Sequence, residues 1–365
     1  MLFEPDAHEP PVDEPWSADR ARAAIASIVA DAESAFGDGW STHPGDEEED
    51  DAVARFRTVY LGGAGVVDAL HRLERRGFVE LRRDYVPYLE RSLEAEPDFP
   101  GEDSQRSLWM GETGIRLVLQ RLAPAQANLE RLSQLIAANE RDERLELMWG
   151  SPGTILAGRD LGLDVTASVR WLHARRDADG LWTQRLGGQR TRFLGPAHGF
   201  AGCALALADI AGVSETLGRL AVEEDRLVNW PPVAGRPLDA NGDGRIRTQW
   251  CHGAPGIVAT LGHALDEELA LAGGGLAWRA GPLRKGANLC HGTAGNGYAF
   301  LALLERTGDE RWLARARTFA MHAARQVDRS RSEHGRGRYT LWTGDLGTAL
   351  YLADCIDGQG GLPLP

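Results

Sequence analysis

A Gly-x-x-Gly step followed by small or apolar residues recurs seven times along the chain, and no other feature constrains the fold as strongly. The first glycines of the steps are Gly62, Gly111, Gly150, Gly199, Gly253, Gly292 and Gly344, spaced 49, 39, 49, 54, 39 and 52 residues apart. Such intervals accommodate two helices and two connections, as in helical-hairpin arrays whose repeats run to roughly 40–47 residues. After each step the sequence is apolar nearly all round, as in Cys203-Ala204-Leu205-Ala206-Leu207-Ala208 or Tyr298-Ala299-Phe300-Leu301-Ala302-Leu303-Leu304. A helix without a polar face is buried on every side. Between the steps the pattern is amphipathic: Trp312, Leu313, Ala316, Phe319 and Ala320 form one face, with Arg311, Arg315 and Arg325 off it. Period-2 alternation is scarce. The expected fold is therefore all-α, an α/α toroid of seven helical-hairpin repeats with an inner helix ring wrapped by an outer one. No linker interrupts the repeat, so one domain over residues 1–365 is expected. Residues 1–50 form its N-terminal lead-in, with a solvated acidic loop from Gly45 to Asp51.

The charge balance narrows the partners. With 40 Lys+Arg against 53 Asp+Glu the formal net charge is −13, which argues against a nucleic-acid backbone or anionic lipid headgroups as the main partner. No stretch reaches the roughly 18–20 uninterrupted apolar residues that span a bilayer. Met1 to Pro15 is acidic and proline-rich, without the charged-then-apolar pattern of a secretory signal. Four cysteines in 365 residues do not make a disulfide scaffold and fit a reducing cytoplasm, so each is weighed as a ligand or nucleophile.

In the middle repeats the residues before the glycine change character. Repeat five reads Trp250-Cys251-His252-Gly253, repeat six reads Leu289-Cys290-His291-Gly292, and repeat four carries His198-Gly199. Two of the four cysteines thus fall on one rim, near helix N-termini, where free N–H groups favour anions and thiolates. Thiolate and imidazole are zinc ligands, and a catalytic zinc site keeps one position open. The spacing alone leaves a second reading standing, since free cysteine also serves as a small buried hydrophobe. Cys203 and Cys355, inside apolar runs, are expected in that bland role. Repeats one, two and seven carry no ligand or base beside the glycine and are expected to be tight turns only. Asp239-Ala240-Asn241-Gly242-Asp243-Gly244-Arg245-Ile246 follows the first eight positions of a calcium loop. Trp250 stands where the loop needs its bidentate glutamate, so a polar turn is expected there. His8, His43, His71, His173, His263, His322 and His334 have no such context and read as surface or packing residues.

The two cysteine segments, Trp250-Cys251-His252-Gly253-Ala254-Pro255-Gly256 and Cys290-His291-Gly292-Thr293-Ala294-Gly295-Asn296, resemble the signature motifs of the LanC-like family. That family includes the lanthipeptide cyclases and the eukaryotic LanC-like glutathione-binding proteins, and the resemblance runs through all seven repeats. It implies an α/α toroid with one zinc ion held by Cys251, Cys290 and His291. It also implies an acid/base role for His198. Glu146 stands where cyclases carry aspartate, and this glutamate resembles the eukaryotic pattern. Arg247, four residues before Cys251, matches a site arginine. Lys285, five before Cys290, matches a lysine of the eukaryotic-type sequence; it is the only lysine in the chain, and arginine is not equivalent at a tuned site. His252, where many bacterial cyclases have tyrosine, is expected to line the substrate site rather than bind metal.

The implied chemistry is zinc-assisted addition of a thiol to a dehydroalanine or dehydrobutyrine residue, forming a thioether. His198, Glu146 and Arg247 are the expected catalytic residues; Lys285 and His252 are expected to bind substrate. The implied partners are a peptide or protein bearing dehydroamino acids, possible free glutathione, and a separate dehydratase. The eukaryotic-type residues favour glutathione addition over ring closure within a precursor peptide. A non-catalytic zinc-containing module that binds glutathione or a peptide is the alternative. A toroid glycosidase needs a facing carboxylate pair, and Glu112, Glu146 and Asp345 near the steps leave the cysteines unexplained.

Overall fold

The computed structural model describes residues 1–46, 54–208 and 211–364, so most of the expected acidic loop lies outside the described residues. Fifteen α-helices and two short β-hairpins occur among the described residues. In chain order the helices begin with α1 (Ala18–Ser34), α2 (Gly63–Arg75), α3 (Val86–Glu94), α4 (Glu102–Gln105) and α5 (Glu112–Leu122). There follow α6 (Gln126–Ala138), α7 (Ser151–Asp160), α8 (Thr166–Ala174), α9 (Phe200–Leu207) and α10 (Val213–Leu220). The last five are α11 (Ala254–Leu261), α12 (Glu267–Ala280), α13 (Thr293–Thr307), α14 (Glu310–His334) and α15 (Asp345–Asp357).

The first glycine of every step is the N-cap of a helix: α2, α5, α7, α9, α11, α13 and α15. Each of these seven packs on the next, and α15 packs back on α2, so they close the expected inner ring. The second glycine has a steric cause. A Cβ at Gly65 would lie 2.0 Å from the Val59 carbonyl oxygen, and one at Gly295 would lie 1.7 Å from that of Leu289. In each repeat the helix start folds onto the backbone six residues earlier, and only hydrogen fits between. Gly253 is additionally at φ +102, a conformation that L side chains rarely adopt.

The outer helices include α6, α12 and α14, each packed against two inner helices. One element departs from the expected lead-in: α1 packs on α15 and α14 and takes the outer position where the ring closes. Its apolar residues Ala21, Ile25, Ile28 and Ala32 are buried there. Repeats four and five are lengthened by antiparallel hairpins, β1 (Gln184–Leu186) with β2 (Gln189–Thr191) and β3 (Val222–Glu224) with β4 (Leu227–Asn229). No helix among the described residues is long and apolar enough to cross a membrane.

Candidate functional site

The segments before the seven glycines meet at the centre of one rim. Their backbones are stitched across repeats: Tyr60 N–H donates to the Trp109 carbonyl at 3.0 Å, Cys251 N–H to Cys290 at 3.1 Å, and Cys290 N–H to Trp342 at 2.9 Å. All five of these residues stand two places before a first glycine, so a shared register brings them together. Trp109, Trp250 and Trp342 fill the middle, with the Trp342 centroid 4.5 Å from Trp109 and 4.6 Å from Trp250.

The expected cysteine pair is assembled at the edge of this aromatic floor. Both cysteines are buried, and the two thiols hydrogen-bond one another. That bond draws the Cys251 thiol down to about 7 against the opposing effect of burial, helped by Gln249 and by the charges of His198 and Lys285. Cys290 moves well up, because of the same bond and its burial. The two thiols thus act on one another, and ionisation is eased at Cys251. His291 follows directly and is half-buried. Burial, then the charges of Lys285, Arg338 and Arg247, push its pKa down to about 3, which keeps the imidazole neutral. Two adjacent thiols with a neutral imidazole next in sequence are a donor set whose chemistry fits a soft divalent ion such as zinc. Among the described residues no three His, Cys, Asp or Glu side chains are grouped closely enough to hold a metal ion. The structure therefore pairs Cys251 with Cys290 without closing the expected triad around His291.

Facing the thiols is a histidine–carboxylate dyad. Glu146 is fully buried in the turn before α7, where it accepts the N–H groups of Met148 at 3.0 Å and Trp149 at 2.6 Å. Its Oε2 lies 3.0 Å from Nδ1 of His198, so Nδ1–H donates to the carboxylate and Nε2 is left free for a substrate. Burial opposes the imidazolium form of His198, yet the hydrogen bond and charge of Glu146, with Cys251 adding, carry its pKa upward. His252 lies beside it, with ring centroids 6.3 Å apart, and its Nδ1 is buried without a partner. Burial and the charges of His198 and Arg247 lower the His252 pKa to about 3, leaving a neutral side chain.

Arg247 and Lys285 sit on loops tied down by the N-terminal segment. Ile246 N–H donates to Glu4, Arg284 N–H donates to the Ala7 carbonyl at 3.0 Å, and Asn229 links the Leu2 and Arg247 carbonyls. Arg247 pairs with Asp243 at 2.5 Å. That pairing is the use made of the calcium-like loop, whose Asn241 side chain donates to its own backbone at Arg245. Lys285 is exposed and makes no ion pair among the described residues. Cys203 and Cys355 are fully buried, as expected, and burial pushes both thiols up.

Three residues near the centre escaped the sequence reading. Tyr60 donates its hydroxyl to Cys290 Sγ at 2.9 Å, which corrects the view of repeat one as a turn only. Gln249 Nε2 donates to Cys251 Sγ at 2.9 Å. Arg338 faces His291 electrostatically while bound to Asp46. Register was an available signal for two of them: Tyr60 stands two places before its glycine, as both motif cysteines do, and Arg338 stands six before Gly344, as Arg247 does before Gly253. Gln249 had no such signal.

An inner helix ring with a thiol pair and a His–Glu dyad on one rim defines a LanC-type toroid. The family model for lanthionine synthetase C-like proteins matches residues 57–361, and the chain belongs to that family. It is 32% identical over 182 residues to the zebrafish (Danio rerio) protein named glutathione S-transferase LANCL1, covering 45% of this chain and 43% of that one. It is 31% identical over 185 residues to the LanC-like protein GCL1 of Arabidopsis thaliana, covering 46% and 41%. These matches span less than half the length of either relative. A solved structure of nisin cyclase superposes with a TM-score of 0.57 at 15% identity, covering 93% of this chain and 99% of that one, which shows the shared toroid fold.

Proposed function

We propose that the protein adds a thiol to a dehydroamino acid residue, forming a thioether, with a zinc ion held by Cys251, Cys290 and His291. The observation that carries this reading is the juxtaposition of the thiol pair with His198, whose charge is felt at Cys251. Zinc in that donor set would lower the pKa of an incoming thiol and keep it as a nucleophilic thiolate. The remaining work belongs to this chain's side chains. The sulfur bonds to the β-carbon, the C=C π pair moves toward the carbonyl, and the α-carbon then takes a proton. His198 Nε2 supplies that proton while Glu146 holds Nδ1, so one S–H adds across one C=C bond. Arg247 stabilises the enolate oxygen, and His252 lines the acceptor site. Lys285, exposed and without an ion pair among the described residues, receives a substrate carboxylate.

We favour glutathione as the thiol over a cysteine of the same peptide. Lys285, Arg338 and Arg247 surround His291 with positive charge suited to a small acidic thiol, and the LANCL1 relative's name points the same way. The acceptor is a peptide or protein whose dehydroamino acid is made by a separate dehydratase. Four free thiols suit a reducing cytoplasm as the compartment. The test is to incubate the protein with a dehydroalanine peptide, with and without glutathione, and to measure bound zinc. An adduct heavier by one glutathione supports the reading; rings formed without glutathione would transfer it to lanthionine synthesis. Bound metal and glutathione with no thioether product would leave a binding module.

A further inference from the structure

Each sulfur of the thiol pair has one hydrogen-bond donor from outside the expected ligand set. Tyr60 Oη donates to Cys290 Sγ and Gln249 Nε2 donates to Cys251 Sγ, both at 2.9 Å. We propose that Tyr60 and Gln249 are a matched pair of positioning residues, one per sulfur, that set the charge left on each thiolate and the hold of the pair on its metal. This inference rests on the metal-centre reading above.

Both donors are held in place independently of the sulfurs. The Tyr60 ring stacks on Trp109 at 6.0 Å and 11°, and on Trp342 at 6.5 Å and 20°, so its position is set by the aromatic floor. Gln249 is buried, and its backbone N–H and carbonyl are both bonded to His252 at 3.0 and 3.2 Å, closing a tight turn around Cys251. The two donors also come from unrelated parts of the chain. Gln249 is local to its cysteine, whereas Tyr60 reaches Cys290 across the closure of the ring, 230 residues away.

The chemistry explains why the donors are uncharged. Two thiolates neutralise a divalent ion, and a third from substrate leaves one negative charge in a buried site. Donors to sulfur spread that charge and stabilise the deprotonated ligands. A lysine or arginine in either place would do so more strongly but would repel the ion. A phenol and an amide supply the hydrogen bond without the charge.

Tyr60→Phe removes only the hydroxyl and keeps the stacked ring; Gln249→Met keeps length and removes the donor. Zinc affinity, measured by competition with a chromophoric chelator, is expected to fall about 10–100-fold in each variant, the range typical for lost outer partners of metal ligands. With cobalt(II) in place of zinc, the sulfur-to-metal charge-transfer band is expected to move to longer wavelength, since a sulfur relieved of its hydrogen bond gives up an electron more readily. General loosening of the fold would lower occupancy without moving the band, so band position decides the matter even if a variant melts early. Unchanged affinity and band position on a metal-binding wild type overturn this inference alone, and a shift in only one variant overturns the pairing. A wild type that takes up neither metal overturns the inference together with the metal-centre reading.

Discussion

The seven helix starts all fold onto the carbonyl six residues back, and five of them divide into two groups by the residue two places before the first glycine. On one side of the rim Tyr60, Trp109 and Trp342 stand two places before their first glycines; on the other, Cys251 and Cys290 occupy that position. The aromatic group is packed, with Trp109 and Trp342 fully buried, while the dyad histidine on the polar side has 35% of its side chain exposed. One group fills the hole that seven converging turns leave, and the other uses the same turns to present reactive atoms. Tyr60 belongs to both, stacked in the floor and bonded to a sulfur. The comparison teaches that a symmetric scaffold separates stability from chemistry by side chain rather than by backbone.

Substitutions that act on one group and spare the other test this division. The largest effect is expected from Cys290→Ala, which should reduce bound zinc to background and abolish thioether formation. Elemental analysis with the peptide assay checks both, and unchanged zinc stoichiometry would remove Cys290 from the ligand set. Next, His198→Asn should lower turnover about 10²–10⁴-fold, the usual range for a lost general acid, with little change in Tm. Trp342→Ala should do the opposite in kind, costing about 3–5 kcal/mol of stability as a buried tryptophan truncation. If the histidine variant proved the less stable of the two, the separation would be wrong. Smaller again, Gly65→Ala and Gly295→Ala should each cost about 1–3 kcal/mol through overpacking against a carbonyl. Comparable losses by chemical denaturation would show that both groups rest on the same turn.

The subtlest effect concerns pH. Glu146 raises the His198 pKa above its ordinary 6.5, so the folded state holds that proton more tightly than the unfolded chain. The pair therefore stabilises the fold fully below about pH 6.5, and the contribution fades as pH rises through the raised value. For activity, the proton donor is lost on the same rise. Glu146→Gln should move the alkaline limb of the rate profile to lower pH, and an unmoved limb would exclude His198 as the titrating acid.

Much of the architecture was legible because it is local. A helix start pressed onto a carbonyl six residues earlier demands glycine, and that demand recurs in each repeat and is readable without a partner. The all-apolar run was legible in α9, whereas the inner helices α2 and α5 carry charged residues such as Arg72 and Arg116. The Cys251 and Cys290 positions were legible through the same register, the placing of Glu146 with His198 through the family resemblance, and the burial of Cys203 and Cys355 through the apolar runs around them. The part taken by α1 was not, because its buried face is matched by residues some three hundred positions away. The Tyr60 contact with Cys290 and the tethering of Arg247 by Asp243 were missed for related reasons, one long-range and one disguised as an ion-binding loop.

The sequence by itself determined that the chain repeats seven times, that a glycine-marked helix start alternates with an amphipathic stretch, and that cysteines and histidines cluster at the starts of the middle inner helices. Only the tertiary structure decided which side chains face which sulfur, that an N-terminal helix closes the outer ring, and that the first, second and seventh turns join Trp250 in the floor beside the thiols. The reason is the ring itself. Periodicity states what each turn contributes, but the angle at which seven turns converge depends on packing among all the helices, and no local stretch encodes that sum.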